Sequence, residues 1–130
     1  MPYRVELVDD AFSDLERVNK TGRIVDFLTK LVRIERAGTN AGLPLGHKEH
    51  LRQNLTGWWK VVVGDRDWRI VFKVNEDTQV ATVLVIGDRS DAECYAEAMR
   101  RLKTLAEHPS GRSLSEAMLT LLAHKASKRR

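Results

Sequence analysis

The apolar positions of the chain change period several times, and each change marks an element. Val5 and Leu7 alternate with polar neighbours, so Tyr3 to Val8 is predicted as a first strand. Asp9 or Asp10 then caps a helix running to Asn19, with Phe12, Leu15 and Val18 at helical spacing. Thr21 is expected to open a second helix to about Arg36, burying Ile24, Phe27, Leu28, Leu31 and Ile34, and Gly38 ends it. Thr39 to Asn54 reads as a loop. Three strands follow: Gly57 to Val63, Asp67 to Val74 and Gln79 to Ile86, with turns at Asp65-Arg66 and Asn75 to Thr78. A helix from about Ser90 to Ala106 carries Tyr95, Ala98, Met99 and Leu102 on one stripe, and Pro109-Ser110-Gly111 breaks it. A last helix, Ser113 to about His124, shows Leu114, Met118, Leu121 and Leu122, and a basic tail closes the chain.

The first hairpin can be put in register from the pattern alone. A loop centred on Asp65-Arg66 sets Val63 against Trp68, Val61 against Ile70 and Trp59 against Phe72. That face is wholly apolar and must be the one the two preceding helices cover. The opposite face carries Trp58, Lys60, Val62, Arg69, Val71 and Lys73. Lys60 and Arg69 are diagonal neighbours there, roughly 7–8 Å apart and within reach of long side chains. No acidic residue shares that face on these two strands, so the three cations suggest an anion site. A turn centred on Glu76-Asp77 places Val80, Thr82, Leu84 and Ile86 on the cation face and sends Ala81, Val83 and Val85 to the core. A strand apolar on both sides is usually covered on both. The cover is either the last helix or a partner chain.

Composition narrows the class. The chain has 130 residues and 42% hydrophobic residues, enough for one domain with a core that needs no metal or disulfide staple. Cys94 is the single cysteine, which excludes an internal disulfide and suits a reducing cytoplasm. No run approaches the ~18 apolar residues of a membrane span, and the first residues lack a secretory pattern. Net charge is +4, but it is unevenly spread. Residues 1–47 balance, residues 48–73 carry net +3, residues 74–98 net −5 and residues 99–130 net +6. Arg89 is the lone basic residue of the acidic stretch. Basic segments of this kind draw nucleic acid by releasing its counterions. The four His and one Cys show no metal-ligand spacing, and no cofactor is expected.

These elements and residues together resemble the RelE/ParE superfamily of bacterial type II toxins. The resemblance rests on Leu55-Thr56-Gly57-Trp58-Trp59-Lys60, then Trp68-Arg69-Ile70-Val71-Phe72, then Val85-Ile86-Gly87-Asp88-Arg89, then Tyr95. It implies an α+β fold: a mostly antiparallel four-stranded sheet, two N-terminal helices on one face, and C-terminal helices. Residues 1–106 would form the RelE-like domain and residues 107–130 a basic helical extension. That extension packs on its own sheet or preceding helix, or meets an antitoxin or a second copy.

The resemblance further implies a cytoplasmic toxin, held by a co-encoded antitoxin, that cleaves messenger RNA on the ribosome by 2′-hydroxyl attack on the adjacent phosphate. Lys60 and Arg69 would stabilise the phosphorane, Arg89 would contact the leaving-group side, and Tyr95 would stack on a base. Lys48, Arg52, Arg66 and Lys73 are the expected RNA contacts. One departure from the pattern stands out. RelE proper has a second lysine two residues after the first, and here that position is Val62. The candidates for general base are then His47, His50, Lys48 or Lys60 itself. The alternatives to a nuclease are a ParE-like gyrase inhibitor and a non-catalytic relative that only binds its antitoxin. Homo-oligomerisation is left open.

Overall fold

The computed structural model describes residues 3–44, 58–64, 68–88, 90–107 and 111–128. Strand β1 (Arg4–Leu7) leads into α1 (Asp9–Asn19), α2 (Ile24–Ala37) and a single 3-10 turn (Gly38–Ala41). Strands β2 (Leu43–Pro44), β3 (Trp58–Val63), β4 (Trp68–Asn75) and β5 (Val80–Gly87) follow. Helix α3 (Asp91–Glu107), β6 (Arg112–Ser113) and α4 (Leu114–Lys128) complete the chain. The sheet order is β2-β3-β4-β5-β1-β6. The expected four strands form its body, β1 running parallel to β5, and a two-residue strand closes each edge. The stretch expected as loop after Gly38 thus contributes a 3-10 turn and the short edge strand β2.

Local chemistry explains the helix boundaries. Asp9 and Asp10 sit in the first turn of α1, where they complement the helix dipole. The Thr21 hydroxyl donates to the Val18 carbonyl at 2.6 Å, and Gly22 takes a left-handed φ of 80°. These two features turn the chain, so α2 starts at Ile24 and not at Thr21. Gly38 ends α2 at φ 58°, and a Cβ there would lie 2.2 Å from the Tyr3 ring.

The first hairpin has the register read from the sequence: Val63 faces Trp68, Val61 faces Ile70 and Trp59 faces Phe72. The second hairpin does not. Asn75 Oδ1 accepts from the backbone N–H groups of Asp77 and Thr78, at 3.0 and 3.2 Å, and Gln79 adopts φ 57°. This builds a four-residue loop that pairs Asn75 with Val80. A bulge between Val71 and Phe72 then shifts the ladder again. Val85 lies opposite Val71 and Ile86 opposite Ile70, so these two exchange the faces expected of them.

Helices α1 and α2 cover one face. Phe12, Leu15, Val18, Phe27, Leu31 and Ile34 are buried in one cluster with Val61, Val63, Ile70, Phe72 and Val83. Each such side chain contributes roughly 1.5–3 kcal/mol of burial. Phe27 meets Trp68 edge-on with ring centroids 5.5 Å apart. Helix α3 packs over β4 and β5 through Cys94 and Ala98. Met99, expected on its buried stripe, is 42% exposed, and the half-buried Arg101 points inward instead. Helix α4 packs against β1 and buries Leu114, Ala117 and Leu121, while Leu122 turns out to solvent at 61% exposure. The last helix therefore adds to the core of its own chain.

Candidate functional site

Strand pleat and register put Lys60, Arg69 and Lys73 on the face away from α1 and α2. Lys60 lies opposite Val71 on β4 and Leu43 on β2, with Arg69 and Lys73 at the two diagonal positions. Arg69 faces Val62 on one side and Gly87 on the other. Lysine is almost never fully buried, yet Lys60 is 7% exposed. Arg69 is half-buried and Lys73 exposed. A buried cation between two more exposed ones attracts an anion at reduced dielectric, where the attraction is stronger than in bulk water.

The fourth expected residue reaches this face from α3. Tyr95 is half-buried and meets the Trp58 ring edge-on, centroids 5.6 Å apart at 77°. The ammonium of Lys73 lies 5.3 Å from the centre of the same indole. Tyr95 and Lys73 are thus both fastened to Trp58, which sits two residues before Lys60. Arg89, Lys48, Arg52 and Arg66, with the loop residues His47 and His50, lie outside the described residues.

A second charged group holds α3 in place. Strand β1 pairs with β5 only as far as Val83, and among the described residues no strand borders the backbone beyond it on that side. Asp14 of α1 accepts from the Ile86 N–H at 3.0 Å, and Arg101 of α3 donates to the Leu84 carbonyl at 2.9 Å. Asp14 and Arg101 also pair with each other at 2.6 Å, the carboxylate 2% and the guanidinium 10% exposed. Glu97 extends the group to Arg101 at 2.7 Å and to Arg100, and Arg17 reaches Asp14. Hydrogen bonds from Arg100 first, and then Arg101, bring the Glu97 carboxyl down to about 2. Burial works against the Arg101 charge, but Asp14 and Glu97 outweigh it and raise its value. These residues line a cavity of about 450 Å³ with Trp68, Gly87 and Asp88. With matched charges of both signs, it is a tie between α1, β5 and α3.

Sequence reasoning missed Trp58, Asp14 and Arg101. The hairpin register gives Trp58 its correct face, but its burial depends on α3. Asp14 and Arg101 lie far apart in the chain and carry no local signal; an acid inside an apolar helical stripe at Asp14 was the one available hint. Among the described residues no group of His, Cys, Asp and Glu could hold a metal ion, and no helix is long and apolar enough to cross a membrane.

No family model matches the chain, and no curated protein matches it in sequence. Solved structures do match. An arginine-to-alanine double mutant of the E. coli toxin RelE in the free state superposes with a TM-score of 0.58 at 22% identity, covering 78% of this chain and 98% of that one. The isolated E. coli RelE toxin gives 0.51 at 22% identity, over 77% and 98%. The RelBE2 toxin–antitoxin complex from Mycobacterium tuberculosis gives 0.50 at 21%, over 68% and 100%. Nearly the whole of each relative is thus spanned, with part of this chain left over. The chain has the RelE-like toxin fold.

Proposed function

We propose that this chain is the toxin of a type II toxin–antitoxin pair and that it cleaves messenger RNA on the ribosome. The observation that carries the reading is Lys60, buried at the centre of a sheet face between Arg69 and Lys73, on a RelE-like fold. Cleavage by 2′-hydroxyl attack leaves a 2′,3′-cyclic phosphate and a free 5′-hydroxyl. It needs a base for the 2′ proton, positive charge for the pentavalent phosphorane, and an acid for the departing 5′-oxygen. Lys60 and Arg69 supply the charge. Lys73 binds a neighbouring phosphate, and Tyr95 offers an aromatic surface for a base. Arg89 serves the leaving-group side, and Lys48, Arg52 and Arg66 extend the RNA contact. The base is drawn from His47, His50, Lys48 and Lys60. A co-encoded antitoxin and a cytoplasmic site of action complete the reading.

Val62 favours a second reading. It stands half-buried opposite Arg69, where RelE proper carries a lysine. A non-cleaving member, acting on gyrase or only binding its antitoxin, would need no base there. Induced expression followed by mapping of messenger 5′ ends separates the two. Cleavage within ribosome-occupied codons is expected, and Lys60→Ala should lower the rate about 10²–10³-fold, the scale for removing one positioned stabilising group. Intact messenger would refute the nuclease reading in favour of the second, with growth arrest for a gyrase inhibitor and without it for a chain that only binds its antitoxin.

A further inference from the structure

Trp58 joins two groups that come from different elements. Its ring is 3% exposed. Lys73 lies directly across the ladder on β4, with its ammonium 5.3 Å from the indole centre. Tyr95, on α3, closes edge-on against the same ring. A lysine ammonium on a four-carbon stem ordinarily samples many rotamers. The quadrupole of an indole face restrains it, and an edge-to-face contact orients a tyrosine ring in the same way. Trp58 itself is too buried to stack on a nucleotide, so it acts through these two neighbours.

We infer that Trp58 is a positioning residue for the capture of single-stranded RNA, holding Lys73 for a phosphate and Tyr95 for a base of the same strand. The inference rests on the nuclease reading above and adds to it a residue that governs binding and not bond breaking. Lys73 and Tyr95 are capture groups, so the loss of Trp58 weakens the hold on RNA and leaves the rate of the bound complex nearly unchanged.

The test is single-turnover cleavage of messenger on programmed ribosomes across a range of toxin concentrations. It is paired with binding of a 2′-O-methyl RNA that cannot be cut. Trp58→Ala should raise the half-saturating concentration about tenfold, with the plateau rate within about twofold of wild type. Trp58→Phe keeps an edge for Tyr95 but weakens the cation contact, and should raise it about threefold. Lys73→Gln should cost less in the Trp58→Phe background than alone, because the two residues share one interaction. If Trp58→Ala does not fold, as judged by its thermal melt, Trp58→Phe and the double variant carry the test. Folded variants with unchanged half-saturation, or with a slower plateau at unchanged half-saturation, overturn the inference. Wild-type protein that neither binds nor cuts RNA overturns the nuclease reading together with it. Wild-type cleavage with undiminished capture by the variants overturns this inference alone.

Discussion

Replacing Asp14 by alanine should be one of the most damaging single changes in this molecule. The carboxylate is 2% exposed and holds three groups: the Ile86 N–H at 3.0 Å, Arg101 at 2.6 Å, and Arg17. Without it, the Ile86 N–H is left buried and unbonded, which costs about 1–3 kcal/mol. Arg101, 10% exposed, keeps Glu97, the Leu84 carbonyl and a longer pairing with the exposed Asp10 at 3.8 Å. Breaking a buried ion pair from one side costs about 3–5 kcal/mol, because the remaining charge stays desolvated. The two costs overlap, so the expected loss is about 3–5 kcal/mol in all. Urea unfolding checks it. With a slope of roughly 1–3 kcal/mol per molar for a domain of this size, the midpoint should fall by about 2 M. Glu6→Gln is the control, since the Arg4–Glu6 pair is 69% and 37% exposed and such pairs contribute about 0–1 kcal/mol. The double variant Asp14→Leu with Arg101→Met should recover part of the loss, because no uncompensated charge remains buried. An Asp14→Ala protein within about 1 kcal/mol of wild type would refute the assignment of this group as the tie on α3.

Acid should act through Glu97. Its carboxyl is held at about 2 in the folded chain against an ordinary 4.5, so its contribution is complete above pH 4.5 and is lost as pH falls towards 2. Discounted for the exposure of Arg100, that contribution is about 1–2 kcal/mol, and Glu97→Gln should flatten the acid limb of a stability–pH curve by that amount. Gly42→Ala should disturb the site from below, because its Cβ would lie 2.4 Å from the Lys60 carbonyl oxygen. A drop in both melting temperature and RNA cleavage is expected, and unchanged values of either would count against the close approach of β2 to β3. Leu114→Ala should cost about 2–4 kcal/mol in urea unfolding if α4 belongs to the core of its own chain. A negligible effect would mean that α4 adds nothing to that core.

Much of the fold was legible because period two and turn length leave little freedom. The whole register of the β3–β4 hairpin followed from one turn position, and with it the gathering of Lys60, Arg69 and Lys73. The β4–β5 register was not legible, because it is decided by the Asn75 side chain and by a bulge at Val71, neither of which alters the hydrophobic pattern. The exposure of Met99 and Leu122 escapes the pattern for a similar reason. A helical stripe fixes which residues neighbour one another, but the exact facing angle is set by what the helix meets, here the inward Arg101 on α3 and β1 under α4. The buried state of Trp58 is a tertiary fact that no local window contains.

The place of β1 in the sheet also sets a timetable for synthesis. The first strand of the chain has its ladder partner on β5, with Arg4 opposite Val80 and Leu7 opposite Val83, and it closes against β6 on its other side. At ~5–20 residues per second, the strand waits on the order of 4–15 s before its partner has even been made. Until then only α1, α2 and the β3–β4 hairpin can form, and an isolated two-stranded hairpin is marginal in water. A nascent chain that stops short of β5 therefore has no settled sheet around Lys60, and the outer face comes into being only as the last third of the protein emerges.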